Sequence, residues 1–229
     1  MAHPEPNLER LNRYLARAGV ASRRASDRLI LAGRITVNGE QVNQPGTRVH
    51  PERDVVSFDG ERVVPPGAET YLVLNKPGGY LVSRSDPHHR QTVYDLLKDV
   101  AGSVFPVGRL DLDTLGVLLF TDDGDLGYRL AHPRYGVLKT YRATVKGVPD
   151  PDVVRQLCEG VRLDDGVTSP AEARLLSDRG DTGVLELILH EGRKRQVRRM
   201  CSTVGHRVLE LERTAFGGIT ARGLDRGAW

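Results

Sequence analysis

The chain has 229 residues, 39% hydrophobic and only 5% aromatic, enough to bury one large core or a large and a small one. Its formal net charge is just +3, yet the cations cluster: seven arginines face only Glu9 and Asp27 between Leu8 and Arg34, and five of the seven residues from Arg193 to Arg199 are basic. Local positive charge in a nearly neutral chain suits a polyanion and excludes a uniformly adhesive surface. No apolar run approaches the roughly 18 residues of a membrane helix, and the N-terminus does not read as a signal peptide. Cys158 and Cys201 are far apart and lack metal-ligand spacing, and the histidines, His88-His89 included, have no companion ligands. A soluble, cytoplasmic, monomeric protein with reduced thiols and no metal is the expectation.

The N-terminal segment predicts a small module. Leu8, Leu11, Leu15 and Ala18 make a helical apolar stripe, and the spacing of Arg10, Arg13 and Arg17 places them on one neighbouring face. Gly19 ends this helix. Ser22 caps a second, running through Ala25, Leu29 and Ala32 to Gly33, with Arg24 and Arg28 one turn apart. Short strands are predicted at 35–37, 41–42 and 55–58, with Asn38-Gly39 as a hairpin turn. An arginine stripe on one helix is ordinarily a solvated face, but two adjacent helices with few acids suit phosphate. Consecutive Pro65 and Pro66, with Gly67, read as a linker. The predicted domains are therefore 1–64, a linker at 65–70, and 71–229.

In the second domain, Tyr71-Leu72-Val73-Leu74 reads as a buried strand ended by Asn75-Lys76-Pro77-Gly78-Gly79. Further strands are predicted at 116–121, 138–146, 184–189 and 208–211, and helices at 92–99, 123–131, 150–159 and 194–204. Segment 138–146 alternates with period two, with Lys139, Tyr141, Ala143 and Val145 on one face. Strands and helices mix without a regular strand–helix–strand repeat or a nucleotide loop. The expected class is α+β, a mixed and mainly antiparallel sheet with helices, preceded by a small α+β RNA-binding domain.

The most informative stretch is 107–126. Arg109 stands two residues before Asp111, and Gly108 and Gly116 bracket the start of an apolar run that must be buried. Asp111 thus sits where a loop meets the core, a common way to hold a carboxylate rigidly in a cleft. Asp111-x-Asp113-Thr114 also fits the nucleophile loop of magnesium-dependent phosphatases, but Gly108-Arg109 breaks the strand such a loop ends, and an arginine competes with the metal. An EF-hand fails, because Leu115 and Asp122 fall at ligand positions five and twelve. Asp122-Asp123-Gly124 reads as a turn and helix start.

Gly108-Arg109-Leu110-Asp111-x-x-Thr114-x-Gly116, continued through Thr121-x-Asp123-Gly124, resembles the signature of the RsuA/RluB-type pseudouridine synthases, with Val117 in place of a leucine. Glu9-Arg10-Leu11-Asn12, Ala21-Ser22-Arg23-Arg24-Ala25 and Gly33–Gly39 resemble the RNA-binding domain named after small-ribosomal-subunit protein four. Together the two resemblances cover nearly the whole chain. They imply isomerisation of uridine to pseudouridine in ribosomal RNA or an assembling ribosomal subunit, without a cofactor, with Asp111 as the nucleophile. They also imply that Arg109 enters the RNA where the base leaves. Lys139-Thr140-Tyr141 is similar to the family's Lys-Thr-Tyr strand, which implies that Tyr141 packs against the base and takes its proton; on the residues alone it is an ordinary strand aromatic facing the core.

Read as a helix, 194–204 buries Val197, Met200, Cys201 and Val204. Arg198 then lies at the edge of this face, in reach of a half-buried carboxylate, whereas Arg195 and Arg199 point away toward phosphates. Gly192-Arg193-x-x-Gln196-Val197-Arg198 is similar to the family's third motif, whose Asp-pairing cation falls at Arg198. The catalytic candidates are Asp111, Tyr141 and Arg198. The RNA-binding candidates are Arg109, Arg10, Arg13, Arg17, Arg23, Arg24, Arg28, Lys139, Arg193, Arg195 and Arg199. The run from Gly192 to Met200 leans toward the large-subunit branch. Similar proteins continue past Gly-x-Trp, whereas this sequence stops at Trp229. A non-catalytic RNA-binding or ribosome-assembly protein and a magnesium-dependent phosphatase are the competing readings.

Overall fold

A computed structural model describes residues 8–98, 100 and 104–229. They form two compact units: a smaller one up to Thr70 that also includes the described residues of Val100–Phe105, and a larger one from Tyr71 onward that resumes at Pro106 and runs to Trp229.

The smaller unit packs α1 (Leu11–Arg17) and α2 (Arg23–Leu31) beside four short strands: β1 (Ile35–Val37), β2 (Glu40–Val42), β3 (Val56–Phe58) and β4 (Glu61–Arg62). The sheet order is β2-β1-β3-β4. Leu11, Tyr14, Leu15, Ile30, Ile35, Val49 and Val56 form its core. Asn38 and Gly39 both take positive φ (54° and 85°), as the tight hairpin turn between β1 and β2 requires. Ser22 caps α2, its hydroxyl accepting from the Ala25 N–H at 3.4 Å. The first helix starts later than its apolar stripe predicts. Arg10 is its extended N-cap and pairs in a short strand with Arg48, so it does not share a helix face with Arg13 and Arg17.

The larger unit is built on one sheet. Its long strands are β5 (Tyr71–Lys76), β6 (Thr114–Thr121), β7 (Lys139–Lys146), β8 (Glu172–Asp178), β9 (Thr182–Leu189) and β10 (Val208–Phe216), in the order β8-β9-β7-β10-β6-β5. Every neighbouring pair on this path is antiparallel except β10 and β6, which run parallel with Leu211 opposite Thr114 and Arg213 opposite Gly116. The fold is therefore the mixed, mainly antiparallel α+β class. α3 (Gly124–Ala131) follows β6, capped by the Asp123 carboxylate; α4 (Pro151–Glu159) follows β7, capped by Asp150. α5 (Gln196–Thr203) precedes β10. Val197, Met200 and Cys201 of α5 and Leu157 of α4 pack on Ala143, Val145, Leu185, Leu187, Leu189 and Leu211 of the sheet. No helix among the described residues is long and apolar enough to cross a membrane.

Gly116 is the tightest point of the sheet. Its φ is +99°, and a Cβ there would fall 2.2 Å from the Arg213 carbonyl oxygen, so only glycine lets these parallel strands close. Two predicted helices are shorter than their apolar pattern suggests. Segment 92–99 becomes a single 3₁₀ turn, Val93–Leu96, closed by a capping box between Thr92 and Asp95; residue 99 lies outside the described set. The helix at 194–204 begins only at Gln196, because Arg195 takes the left-handed conformation (φ 51°, ψ 35°). Strand β8 went unpredicted: adjacent Leu175 and Leu176 are both exposed beside a bulge, which erases any alternation.

Candidate active site

Asp111 lies on the loop entering β6, and a buried lysine fixes that loop. Lys76, at the end of β5, has no exposed surface. Its ammonium donates to the carbonyl oxygens of Pro77 (3.0 Å), Leu112 (3.1 Å) and Thr114 (2.9 Å). The Gly79 N–H also donates to Leu112 O, and the Thr114 N–H to Asp111 O. Burial pulls Lys76 down to about 8, against the opposing attraction of Asp113 and Asp111. The carbonyls on either side of Asp113 are thereby held, and the Asp111 side chain is left 30% exposed at the cleft.

The opposite wall is the segment leading into α5. Buried Gln196 stitches it: its amide donates to Glu191, and its carbonyl accepts from the Arg193 N–H at 2.9 Å. Burial pushes the Glu191 carboxyl up, but hydrogen bonds from Ser169 and Gln196 and the charge of Arg193 outweigh it and hold the group below its ordinary range. The left-handed turn at Arg195 then aims this guanidinium into the cleft, 3.7 Å from Asp111 Oδ2 and 3.9 Å from Asp113 Oδ1. Arg198, one turn on and 10% exposed, reaches the same pair: Nη2 lies 3.0 Å from Asp113 Oδ2 and Nε 4.0 Å from Asp111 Oδ2. Both carboxylates thus face two cations, and a dication placed between them would meet that positive charge, which disfavours a magnesium loop.

Tyr141 of β7 lines the same cleft, together with Arg109, Leu110, Thr114, Leu189 and Leu211. Opposite Tyr141 in the strand register stands Arg213, which is only 2% exposed. Its Nε donates to Val117 O at 2.8 Å, and its guanidinium lies 4.8 Å from the Phe216 ring. Burial lowers its pKa, while neighbouring Tyr141 acts the other way. Among the described residues, Thr114 Oγ1, Arg198 Nε and Arg213 Nη2 are buried without a hydrogen-bond partner. Orphaned donors and acceptors cost free energy in a folded core; these three adjoin the cleft of Asp111 and Tyr141, and others, at Glu9, Asn12 and His50, lie in the small unit.

The family model for RNA pseudouridylate synthase matches residues 70–203, more than half the chain. The chain belongs to the RNA pseudouridylate synthase family. It is an isomerase acting on RNA. An S4 domain model matches residues 9–56 of the synthase. A ribosomal large subunit pseudouridine synthase B of Bacillus subtilis is 42% identical, covering 96% of this chain and 90% of the relative. An uncharacterised RNA pseudouridine synthase of Aquifex aeolicus is 43% identical over 96% of this chain and 88% of its own. A solved pseudouridylate synthase structure aligns with a TM-score of 0.65 at 29% identity, covering 95% of this chain and 93% of that one.

The synthase brings Asp111, Tyr141, Arg109 and Arg195 to one cleft, with Arg198 behind the carboxylates. Arg195 corrects the helical reading: as a left-handed cap it turns toward Asp111, not away from it. Three further residues expected to contact RNA have partners within the protein. Lys139 is buried, its ammonium bonded to Val137 O at 3.0 Å and set 5.3 Å from the Phe216 ring. Arg193 spends its donors on Glu191, Asp165 and the carbonyls of Gly166 and Val167. Arg199 is clamped by Asp164 (2.6 Å) and Asp165 (2.9 Å). In the small unit, Arg13 and Arg17 both lie against Glu9, whereas Arg23, Arg24 and Arg28 are exposed and pair with no acidic side chain among the described residues. Lys76 and Arg213 were missed. Both fall inward by period-two counting from Leu74 and Leu211, a signal their charge conceals.

Proposed function

We propose that the synthase isomerises a uridine of ribosomal RNA, in the large subunit, with Asp111 as nucleophile, Tyr141 against the target base, Arg198 as the cation beside the carboxylate, and no cofactor. The observation that carries this reading is the convergence of Asp111, Tyr141 and two arginines on one cleft. The large-subunit preference draws on the relatives named for that subunit. Residues 1–64 serve as an RNA anchor through Arg23, Arg24 and Arg28, and residues 71–229 carry the chemistry.

The reaction conserves atoms. The bond from the ribose C1′ to uracil N1 breaks, the base turns, and a bond from C1′ to C5 forms; C5 gives up a proton and N1 gains one. A stacked base is out of reach of Asp111, so the nucleotide must flip into the cleft at a cost of a few kcal/mol. Arg109, exposed at the rim, suits the RNA side of that opening, because a guanidinium plane both stacks and contacts phosphate. Arg195 and Arg198, 3.7 and 4.0 Å from Asp111 Oδ2, attract and orient the carboxylate that makes the nucleophilic attack. Tyr141, which lines the cleft, packs on the base in this reading and takes the C5 proton.

The test maps pseudouridine in ribosomal RNA from cells with the gene, without it, and complemented by Asp111→Asn. One uridine should lose its modification in the deletion and in the Asp111→Asn strain. An unchanged map, or full rescue by Asp111→Asn, would sink the proposal.

A further inference from the structure

Between Asp125 and Asp150 the chain holds no acidic residue but five basic ones: Arg129, Arg134, Lys139, Arg142 and Lys146. α3 ends inside this stretch. A 3₁₀ turn (Pro133–Tyr135), closed by left-handed Gly136, then folds back on the helix end. The result is a cluster of rings and cation on the surface of the catalytic unit. The Tyr128 and His132 rings lie 5.0 Å apart, and Tyr128 meets Tyr135 edge to face at 5.9 Å. The Arg134 guanidinium sits 5.1 Å from the Tyr128 ring and 4.6 Å from that of Tyr135. Its side chain also donates to the Tyr135 hydroxyl, and its backbone N–H to His132 Nδ1 at 3.2 Å.

These rings lie outside the hydrophobic core. Tyr128 is 45% and Tyr135 41% exposed, in a chain that is only 5% aromatic. α3 seats itself through buried Gly127 and through Leu130, which packs on Val107, Val117, Leu119 and Phe216. What remains is a set of aromatic faces and a guanidinium plane that hold one another in place in water. Such planes take unpaired nucleobases by stacking, and the exposed Arg129 next to Tyr128 suits an adjoining phosphate. The exposed Arg129 and Arg134 guanidiniums at these rings favour RNA over an apolar protein partner. The location fits as well. Tyr135 and Tyr141 are six residues apart, so their Cα atoms lie within ~22 Å of each other. Nucleotides flanking a uridine in the cleft are within reach.

We propose that Tyr128, His132, Arg134 and Tyr135 form a second RNA-binding site, which stacks an unpaired nucleotide flanking the target uridine. This rests on the RNA activity of the family, not on the identity of the uridine.

The test uses the full chain and two double variants, Tyr128→Ala with Tyr135→Ala and Tyr128→Phe with Tyr135→Phe, after thermal melts establish that each is folded. Affinity is measured for an rRNA fragment with a single-stranded flank beside the target and for a fully paired duplex of equal length. The alanine pair should weaken binding of the flanked RNA by about fivefold to a hundredfold. Duplex affinity and the single-turnover rate at saturating RNA should not change, and the phenylalanine pair should bind like the unaltered protein. Unchanged affinity in the alanine pair, an equal loss on the duplex, or the same loss in the phenylalanine pair would overturn the proposal. So would intact affinity for naked RNA with reduced modification of ribosomal particles, which assigns the face to a protein. If the unaltered protein makes no pseudouridine yet the alanine pair still loses flanked RNA, the second site stands and the proposed reaction falls.

Discussion

Arg198 Nε stops 4.0 Å short of Asp111 Oδ2, close enough for charge attraction and too far for a hydrogen bond. The nitrogen is buried and has no other partner among the described residues. Asp113 occupies the far end of the same guanidinium at 3.0 Å and so orients it. A movement of Asp111 toward Nε by about 1 Å would complete a hydrogen bond that this geometry leaves open.

Arg198→Ala should therefore lower the single-turnover rate by about 10²–10³-fold, the usual cost of removing one preorganised donor. RNA affinity should hold, and Arg198→Lys should keep part of the rate. Arg199→Ala makes the contrast. It breaks pairs with largely exposed Asp164 and half-exposed Asp165, so it should cost roughly 0.2–1 kcal/mol of stability and leave catalysis near normal. Should Arg199→Ala be the inactive variant, the assignment of the cation beside Asp111 is wrong.

Asp111→Asn should abolish isomerisation while RNA affinity stays nearly intact, because the amide keeps the shape of the side chain but cannot attack. Asp113→Asn is the milder change: that side chain is 55% exposed, and its amide oxygen can still accept from Arg198. Single-turnover assays with and without EDTA separate the alternatives. Equal losses from the two substitutions, or activity that disappears with the chelator, would favour a metal-binding pair.

The sequence was most readable where a pattern is local. The Ser22 and Asp123 caps, the Asn38-Gly39 turn and the inward face of β7 all follow from short-range rules, and the structure has each of them. Asp111 stood out because glycines and apolar residues frame it. Pairings between distant segments were not readable. Nothing in 194–204 announces that Arg195 turns left-handed: the Gln196–Glu191 bond beside it spans only five residues, but Glu191 is itself held by the Ser169 N–H, 22 residues away. The clamp of Asp164 and Asp165 on Arg199 likewise spans more than 30 residues, so a helical wheel assigns that arginine to solvent. Lys76 and Arg213 look like surface cations until the sheet order places them inside.

Replacing Arg23, Arg24 and Arg28 together with glutamine should weaken rRNA binding and flatten its salt dependence. For every phosphate that the variant no longer neutralises, the slope of log affinity against log salt should fall by about 0.7–0.9. Because the three side chains are exposed and pair with no acidic side chain among the described residues, the melting temperature should barely move. The same substitutions at Arg13 and Arg17 would also disturb Glu9 and are the poorer test. A triple variant with an unaltered salt slope would remove α2 from the RNA interface.

Lys76 gives stability and activity opposite dependences on alkaline pH. Its pKa is lowered from 10.5 to about 8 by burial, so the folded protein releases this proton before the unfolded chain does. For a base depressed on folding, the cost of burying the charge is present in full below about pH 8 and is relieved as pH rises toward 10.5. Relative to Lys76→Met, the unaltered protein should thus gain stability, on the order of 3 kcal/mol, across that window. Other titrating groups are common to both proteins and cancel in the difference. Activity should move the other way. A neutral amine has one donor fewer for the carbonyls of Pro77, Leu112 and Thr114, and it no longer attracts Asp111 and Asp113. The Asp111 loop then loosens, and the rate should fall with a midpoint near pH 8. Lys76→Met should be slow at every pH and lack that limb. Urea melts at pH 7 and pH 10 and single-turnover rates across the range read both effects. A stability difference that stays constant with pH, or the same alkaline limb in Lys76→Met, would show that Lys76 does not control the loop.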